Sequence, residues 1–138
     1  MHTDPVNASP EVQVLVVDDQ RPFRLAMRAV LRHLPGFTLA AEAETGEESV
    51  AIVPDVQPEL VLMDINLPGM SGIEATRRIL ELAPGTIVFL CSTYDQDDLP
   101  PAVAASGAAA YINKEELTAA RLRDLWTQHG PGATASGA

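Results

Sequence analysis

Short apolar runs that end abruptly at a polar or charged residue constrain the fold of this chain more than any other feature. Val12–Val17 is apolar at nearly every position and β-branched, then stops at Asp18 and Asp19; Leu60–Asp64 is apolar until its closing acid. Residues 86–91 lead to Ser92, and residues 109–113 lead to Lys114. A strand apolar on both sides needs both faces covered, which is the condition of a parallel sheet between helical layers. The segments between the runs supply those helices. From Pro22, residues Phe23, Met27, Val30, Leu31 and Leu34 recur at helical spacing before Pro35-Gly36, with Arg24, Arg28 and Arg32 on the other side, read as a solvated face. Residues 37–42 form a second strand and 45–53 a second helix, kept short because Pro54 ends or kinks it. Residues 71–82 form a third helix with Ile73, Ile79 and Leu80 inward; a fourth starts near Asp98, takes Pro100-Pro101 in its first turn and runs to Ser106. Residues 118–128 form the fifth, with Leu122, Leu125 and Trp126 on one side. Strands alternating with helices in this way predict an α/β fold, a flavodoxin-like (βα)5 three-layer sandwich whose five-stranded parallel sheet has the order 2-1-3-4-5.

The chain of 138 residues suits one domain. Residues 11–129 are expected to fold, flanked by a flexible polar segment over 1–10 and a flexible Gly/Ala/Ser-rich tail over 130–138. A formal net charge of −10 disfavours direct contact with nucleic acid or with an anionic membrane surface. No run is long and apolar enough to span a bilayer, there is no export signal, and the single cysteine, Cys91, is read as an inert core thiol. A cytoplasmic location follows as the expectation.

In an open parallel sheet the carboxyl ends of the strands share one edge, and ligands bind outside that edge. Asp18, Asp19, Asp64, Ser92 and Lys114 should therefore meet. Crowded carboxylates repel one another, and a hard divalent cation with oxygen ligands, Mg2+, relieves that repulsion. A cation held there also suits a phosphoryl group on its way to an attacking carboxylate, with Lys114 and Ser92 on other phosphoryl oxygens.

Taken in order, Val-Val-Asp-Asp at 16–19, Met-Asp-Ile-Asn-Leu-Pro-Gly-Met-Ser-Gly at 63–72, Ser92, Gly107 and Tyr-Ile-Asn-Lys at 111–114 resemble a bacterial two-component response-regulator receiver domain over roughly residues 12–128. The wording is closest to the subgroup that usually carries a C-terminal helix-turn-helix, for which the residues after Lys114 leave no room. The resemblance implies that Asp64 is the phosphoacceptor and that Mg2+ is held by Asp19, Asp64 and the Asn66 carbonyl, with Asp18 acting through metal-bound water. It further implies that Lys114 clamps the phosphoryl group, and that Ser92 and Tyr111 relay the switch. The implied partners are a histidine kinase or phosphotransfer protein and an output protein, and a homodimer through the fourth and fifth helices stays open. The protein would be a signalling receiver catalysing only its own phosphoryl transfer and its autodephosphorylation. Two departures are visible. Glu115 follows Lys114 where many receivers have proline, so that peptide is expected trans, and Pro100-Pro101 shortens the fourth helix.

Other readings stand beside this one. A phosphorylation-independent binding module would not need the intact acids and Lys114. An excised regulatory domain of a DNA-binding response regulator would carry the same residues. A Mg2+-dependent phosphohydrolase would want an acid shortly after the nucleophile, and position 66 is Asn. The Arg24, Arg28 and Arg32 stripe has a rival reading as a kinase-docking surface.

Overall fold

The computed structural model describes residues 11–94 and 99–131. Five strands, β1 (Val12–Val17), β2 (Phe37–Ala43), β3 (Leu60–Asp64), β4 (Ile87–Ser92) and β5 (Ala110–Asn113), form one parallel sheet in the order β2-β1-β3-β4-β5. Among the described residues four α-helices cover it: α1 (Arg21–Arg32), α2 (Gly46–Val56), α3 (Gly72–Leu82) and α4 (Ala119–His129). Of the flexible segments expected at 1–10 and 130–138, residues 1–10 and 132–138 lie outside the described residues, whereas Gly130 is buried and donates its N–H to Trp126 O at 2.8 Å. No helix of the described residues is long and apolar enough to cross a membrane.

The period-two alternation of β-strands sorts the apolar runs onto two faces. Val14, Val16, Leu60, Leu62, Phe89, Cys91 and Ile112 pack with Met27 and Leu31 of α1 and with Leu122 and Leu125 of α4. Their neighbours Leu15, Val17, Val61, Met63, Val88 and Leu90 pack with Val53 of α2 and with Ala75 and Ile79 of α3. Both faces are apolar because both are covered. Trp126, on the same side of its helix as Leu122 and Leu125, is partly buried and meets Phe37 edge to face at 6.0 Å. Side chains start three of the helices: Thr45, Ser71 and Thr118 accept from the backbone N–H of Glu48, Glu74 and Arg121.

Three expectations need correction. Pro54 does not end the second helix, which continues to Val56 and stops at Gln57 in the left-handed region (φ 52°). Val53, immediately before the proline, is 1% exposed and locked into the core, so packing overrides the local preference. The ring still deprives α2 of one N–H near its end, and Pro54 is exposed. Pro54→Ala should therefore stabilise the protein by about 1 kcal/mol, read as a higher urea midpoint; an unchanged or lower midpoint would contradict this.

The fourth helix is reduced to a single 3-10 turn, Pro101–Val103, and its expected start near Asp98 lies outside the described residues. Pro100, which precedes another proline, is held extended at ψ 144°, so the turn cannot begin before Pro101. Ser106 then turns back on the chain, its hydroxyl donating to the Val103 carbonyl and accepting from the Ala108 N–H, and Gly107 takes φ 94°. The third correction concerns Arg24, which is buried, whereas Arg28 and Arg32 of the same stripe are exposed.

Candidate functional site

The carboxyl ends of β1, β3 and β5 deliver Asp18, Asp64 and Lys114 to one rim, as parallel strand order requires. Asp18 is wholly buried, Asp64 is 5% exposed, and Asp19 faces solvent. One carboxylate oxygen from each of Asp18, Asp19 and Asp64 lies within 4.8 Å of the others. The Lys114 ammonium is 2.5 Å from Asp18 Oδ2 and 3.4 Å from Asp64 Oδ1. Phe23, in the first turn of α1, floors the ammonium at 4.6 Å from its ring centre. Each polar group of Asp18 is engaged: its N–H donates to Ala43 O, Oδ1 accepts from Gln20 N, Oδ2 accepts from Lys114, and its carbonyl accepts from Arg24.

This crowding sets the charges. Burial, and then the Asp18 carboxylate, push the Asp64 carboxyl up to about 6, with the Lys114 charge and the Asn66 N–H acting the other way. Burial alone would lower the Lys114 ammonium, but the hydrogen bond to Asp18 and the Asp64 and Asp18 charges raise it above the usual lysine value. Below the rim Cys91, paired in register with Asp64, is fully buried, and that burial drives its thiol upward and keeps it protonated.

The loop after β3 is fixed by close backbone packing. Asn66 donates its N–H to Asp64 Oδ1 at 3.3 Å, its own side chain being exposed. Gly72 opens α3 against the backbone of Asp64, and Glu47 Oε2 accepts from the Met70 N–H. At the end of β4, Ser92 is 1% exposed and its hydroxyl accepts from Tyr94 N at 2.8 Å. The Tyr111 hydroxyl donates to the carbonyls of Ser92 and Tyr94, and Asn113 Nδ2 also donates to Tyr94 O. Asp18, Asp19, Asp64 and Lys114 thus form one cluster, while Ser92 and Tyr111 form a second, adjoining one. No peptide of the described residues is cis, so Lys114-Glu115 is trans as expected.

Sequence reasoning missed Arg24. Its Nη1 donates to Asp18 O at 2.8 Å, its Nε donates to Glu42 Oε1 at 3.1 Å, and its Nη2 is 3.7 Å from Glu44 Oε2. Arg28 also grips Glu42 at 2.5 Å, and that bond is the largest cause holding the Glu42 carboxyl below its usual range. The available signal was the pair of acids at the end of β2, beside the acid pair ending β1.

A family model described as the response regulator receiver domain matches residues 14–126. Response regulator GacA of Pseudomonas protegens is 36% identical over 103 residues, covering 75% of this chain and 48% of that protein. The transcriptional regulatory protein LiaR of Bacillus subtilis is 36% identical over 109 residues, covering 78% and 51%. The chain spans about half the length of the curated relatives it matches. Among solved structures, the response regulator domain of Thermotoga maritima CheB is similar with a TM-score of 0.77 at 26% identity, over 86% of this chain and 96% of that one. A two-component response regulator of the LuxR family from Aurantimonas gives 0.75 at 25%, over 91% and 94%. The family match runs from within β1 into α4 and so takes in part of every strand and the acid rim: the chain belongs to the response regulator receiver domain family.

Proposed function

We propose that Asp64 accepts a phosphoryl group from the phosphohistidine of a histidine kinase or phosphotransfer protein, or from a small phosphodonor, with Mg2+ bound beside it. The observation that carries this reading is the convergence of one cation, Lys114, with three carboxylates on a single rim. Asp19 and Asp64, together with the Asn66 carbonyl, would hold the Mg2+ directly, and one carboxylate oxygen from each of Asp18, Asp19 and Asp64 already lies within 4.8 Å of the others. Asp18, with both carboxylate oxygens already engaged, acts through a bound water. When bound, Mg2+ neutralises charge on the phosphoryl oxygens and on the acids.

In the transfer, an Asp64 oxygen forms the new O–P bond while the P–N bond of the donor breaks, and the leaving imidazole keeps the electron pair and takes a proton. Asp64 must be ionised to attack. Lys114 is already between Asp18 and Asp64, where it can exchange part of its contact with the carboxylates for a phosphoryl oxygen. Ser92 would hydrogen-bond another phosphoryl oxygen. Doing so disturbs its turn with Tyr94, whose carbonyl also holds Tyr111, so occupancy of Asp64 reaches the β4–β5 surface through residues already in contact. The output is a changed protein contact there, and the setting is the cytoplasm; residues 11–129 act as the single switching unit. The phosphoryl group leaves again by hydrolysis at the same site, so the turnover is the protein's own.

Incubation with Mg2+ and acetyl phosphate is expected to add the mass of one phosphoryl group to the wild-type protein and none to Asp64→Asn, read by intact mass. Label on the Asn variant would remove Asp64 from the role, and no label on wild type with either acetyl phosphate or a phosphorylated kinase would end the reading.

A further inference from the structure

Arg24 stands out because an arginine only 9% exposed is unusual on a surface helix, and because its three contacts reach the ends of two different strands. Glu42 and Glu44, at and just beyond the end of β2, balance its charge, while Nη1 donates to the carbonyl of Asp18 at 2.8 Å. That carbonyl belongs to the peptide joining Asp18 to Asp19. Holding it fixes the plane of that peptide, and with it the direction in which Asp19 leaves the chain. The rest of the turn is pinned by Asp18 N to Ala43 O and Gln20 N to Asp18 Oδ1, but those bonds hold Asp18 and Gln20, one on either side of Asp19. Among the described residues, Arg24 is the one side chain that hydrogen-bonds the peptide between the two acids.

We infer that Arg24 is a positioning residue for the cation site: anchored by Glu42 and Glu44, it orients the Asp18-Asp19 peptide so that Asp19 presents its carboxylate toward Asp64. The inference rests on the metal reading proposed above and adds a residue to it. Two physical effects of Arg24 on a cation have opposite signs, which makes the role testable. As a bare positive charge near the rim it repels Mg2+, so its removal would tighten binding. As the anchor of the Asp18-Asp19 peptide it favours Mg2+, so its removal loosens binding. A planar fork that holds a carbonyl and a carboxylate together has no equivalent in an ammonium. Groups that orient ligands in this way typically change metal affinity by about tenfold or more when removed.

The test is a Mg2+ titration of the intact chain followed by amide NMR shifts, comparing wild type with Arg24→Met, Arg24→Lys and Arg28→Met. The expected result is affinity about tenfold weaker for Arg24→Met, a smaller loss for Arg24→Lys, and no change for Arg28→Met, which touches Glu42 but not the Asp18 carbonyl. The folded amide spectrum serves as the control for structure, and Arg24→Lys decides if Arg24→Met does not fold. Unchanged or tighter binding in the Arg24 variants, or equal weakening in Arg28→Met, overturns the inference. Wild-type protein that binds no Mg2+ refutes the metal reading instead. The metal-free spectra then decide Arg24, since its variants must shift the Asp19 amide and Arg28→Met must not.

Discussion

Replacing Gly72 with alanine is expected to cost about 3 kcal/mol or more and to lower the melting temperature by on the order of 10 °C. A Cβ at this position would lie 1.9 Å from the Asp64 carbonyl oxygen, 2.8 Å from its carbon and 3.0 Å from the Ile65 Cα. All three obstacles are backbone atoms at the end of the central strand, so no side chain can swing aside, and α3 itself must move. Its first turn is held by the Gly72 N–H on the Ile65 carbonyl and by Thr76 Oγ1 on the Gly72 carbonyl, and Ala75 and Ile79 are fully buried against the sheet. Relief by motion therefore loses core contacts. The clash falls on the residue proposed to take the phosphoryl group, so acceptance from acetyl phosphate should fall along with stability. Gly85→Ala, where nothing lies within 4 Å of the new atom and the glycine has no positive φ, should be close to neutral. Thermal or urea melts of the two variants decide the matter; a Gly72→Ala protein as stable as Gly85→Ala would contradict the packing argument.

Asp64→Asn should abolish phosphoryl acceptance yet make the metal-free protein more stable at neutral pH. Burial and the Asp18 charge raise the native carboxyl to about 6, against an ordinary value of 3.8. Above about pH 6 the native state carries an ionised group that the unfolded chain accommodates more easily, and wild type loses stability as pH climbs from about 4 to about 6. Below about pH 4 the group is protonated in both states and the disadvantage vanishes. Asparagine keeps the shape and an acceptor for the Asn66 N–H, without the charge. Allowing for solvent screening at the rim, the gain is about 1–2 kcal/mol. The expected record, in chelator, is a variant melting above wild type at about pH 7.5 and together with it at about pH 4. Added Mg2+ should narrow the difference by stabilising wild type. A variant less stable than wild type at neutral pH would show that Lys114 more than offsets the carboxylate repulsion.

Both effects concern residues whose importance the primary order shows only in part. Asp64 was legible because an acid closing a buried apolar run has few bland explanations once two other acids and a lysine close the neighbouring runs. Gly72 was legible as part of a motif, but its reason, a helix start laid on a strand end, is a distance between backbones. Arg24 was misread. Its spacing with Arg28 and Arg32 is that of one helix stripe, and helical periodicity cannot tell which members of a stripe face the neighbouring strand. Glu42 and Glu44 draw Arg24 inward while Arg28, one turn later, stays 43% exposed in its side chain. The length of α2 and the loss of the fourth helix were likewise beyond local rules. In the first, a buried Val53 outweighs Pro54; in the second, two prolines leave a single 3-10 turn.

The order of apolar runs, their β-branched character and the identity of the residues closing them fixed the parallel sheet, its two covered faces and the rim where chemistry gathers, because these depend on chain periodicity and on connection rules that act locally. The partners of each charge were decided only in three dimensions. That Lys114 spans Asp18 and Asp64, that Asp18 has no free oxygen, and that Arg24 turns from solvent to a carbonyl are results of packing between elements remote in sequence. Electrostatic pairing falls off over a few ångströms, so it follows the distances that the tertiary structure alone sets.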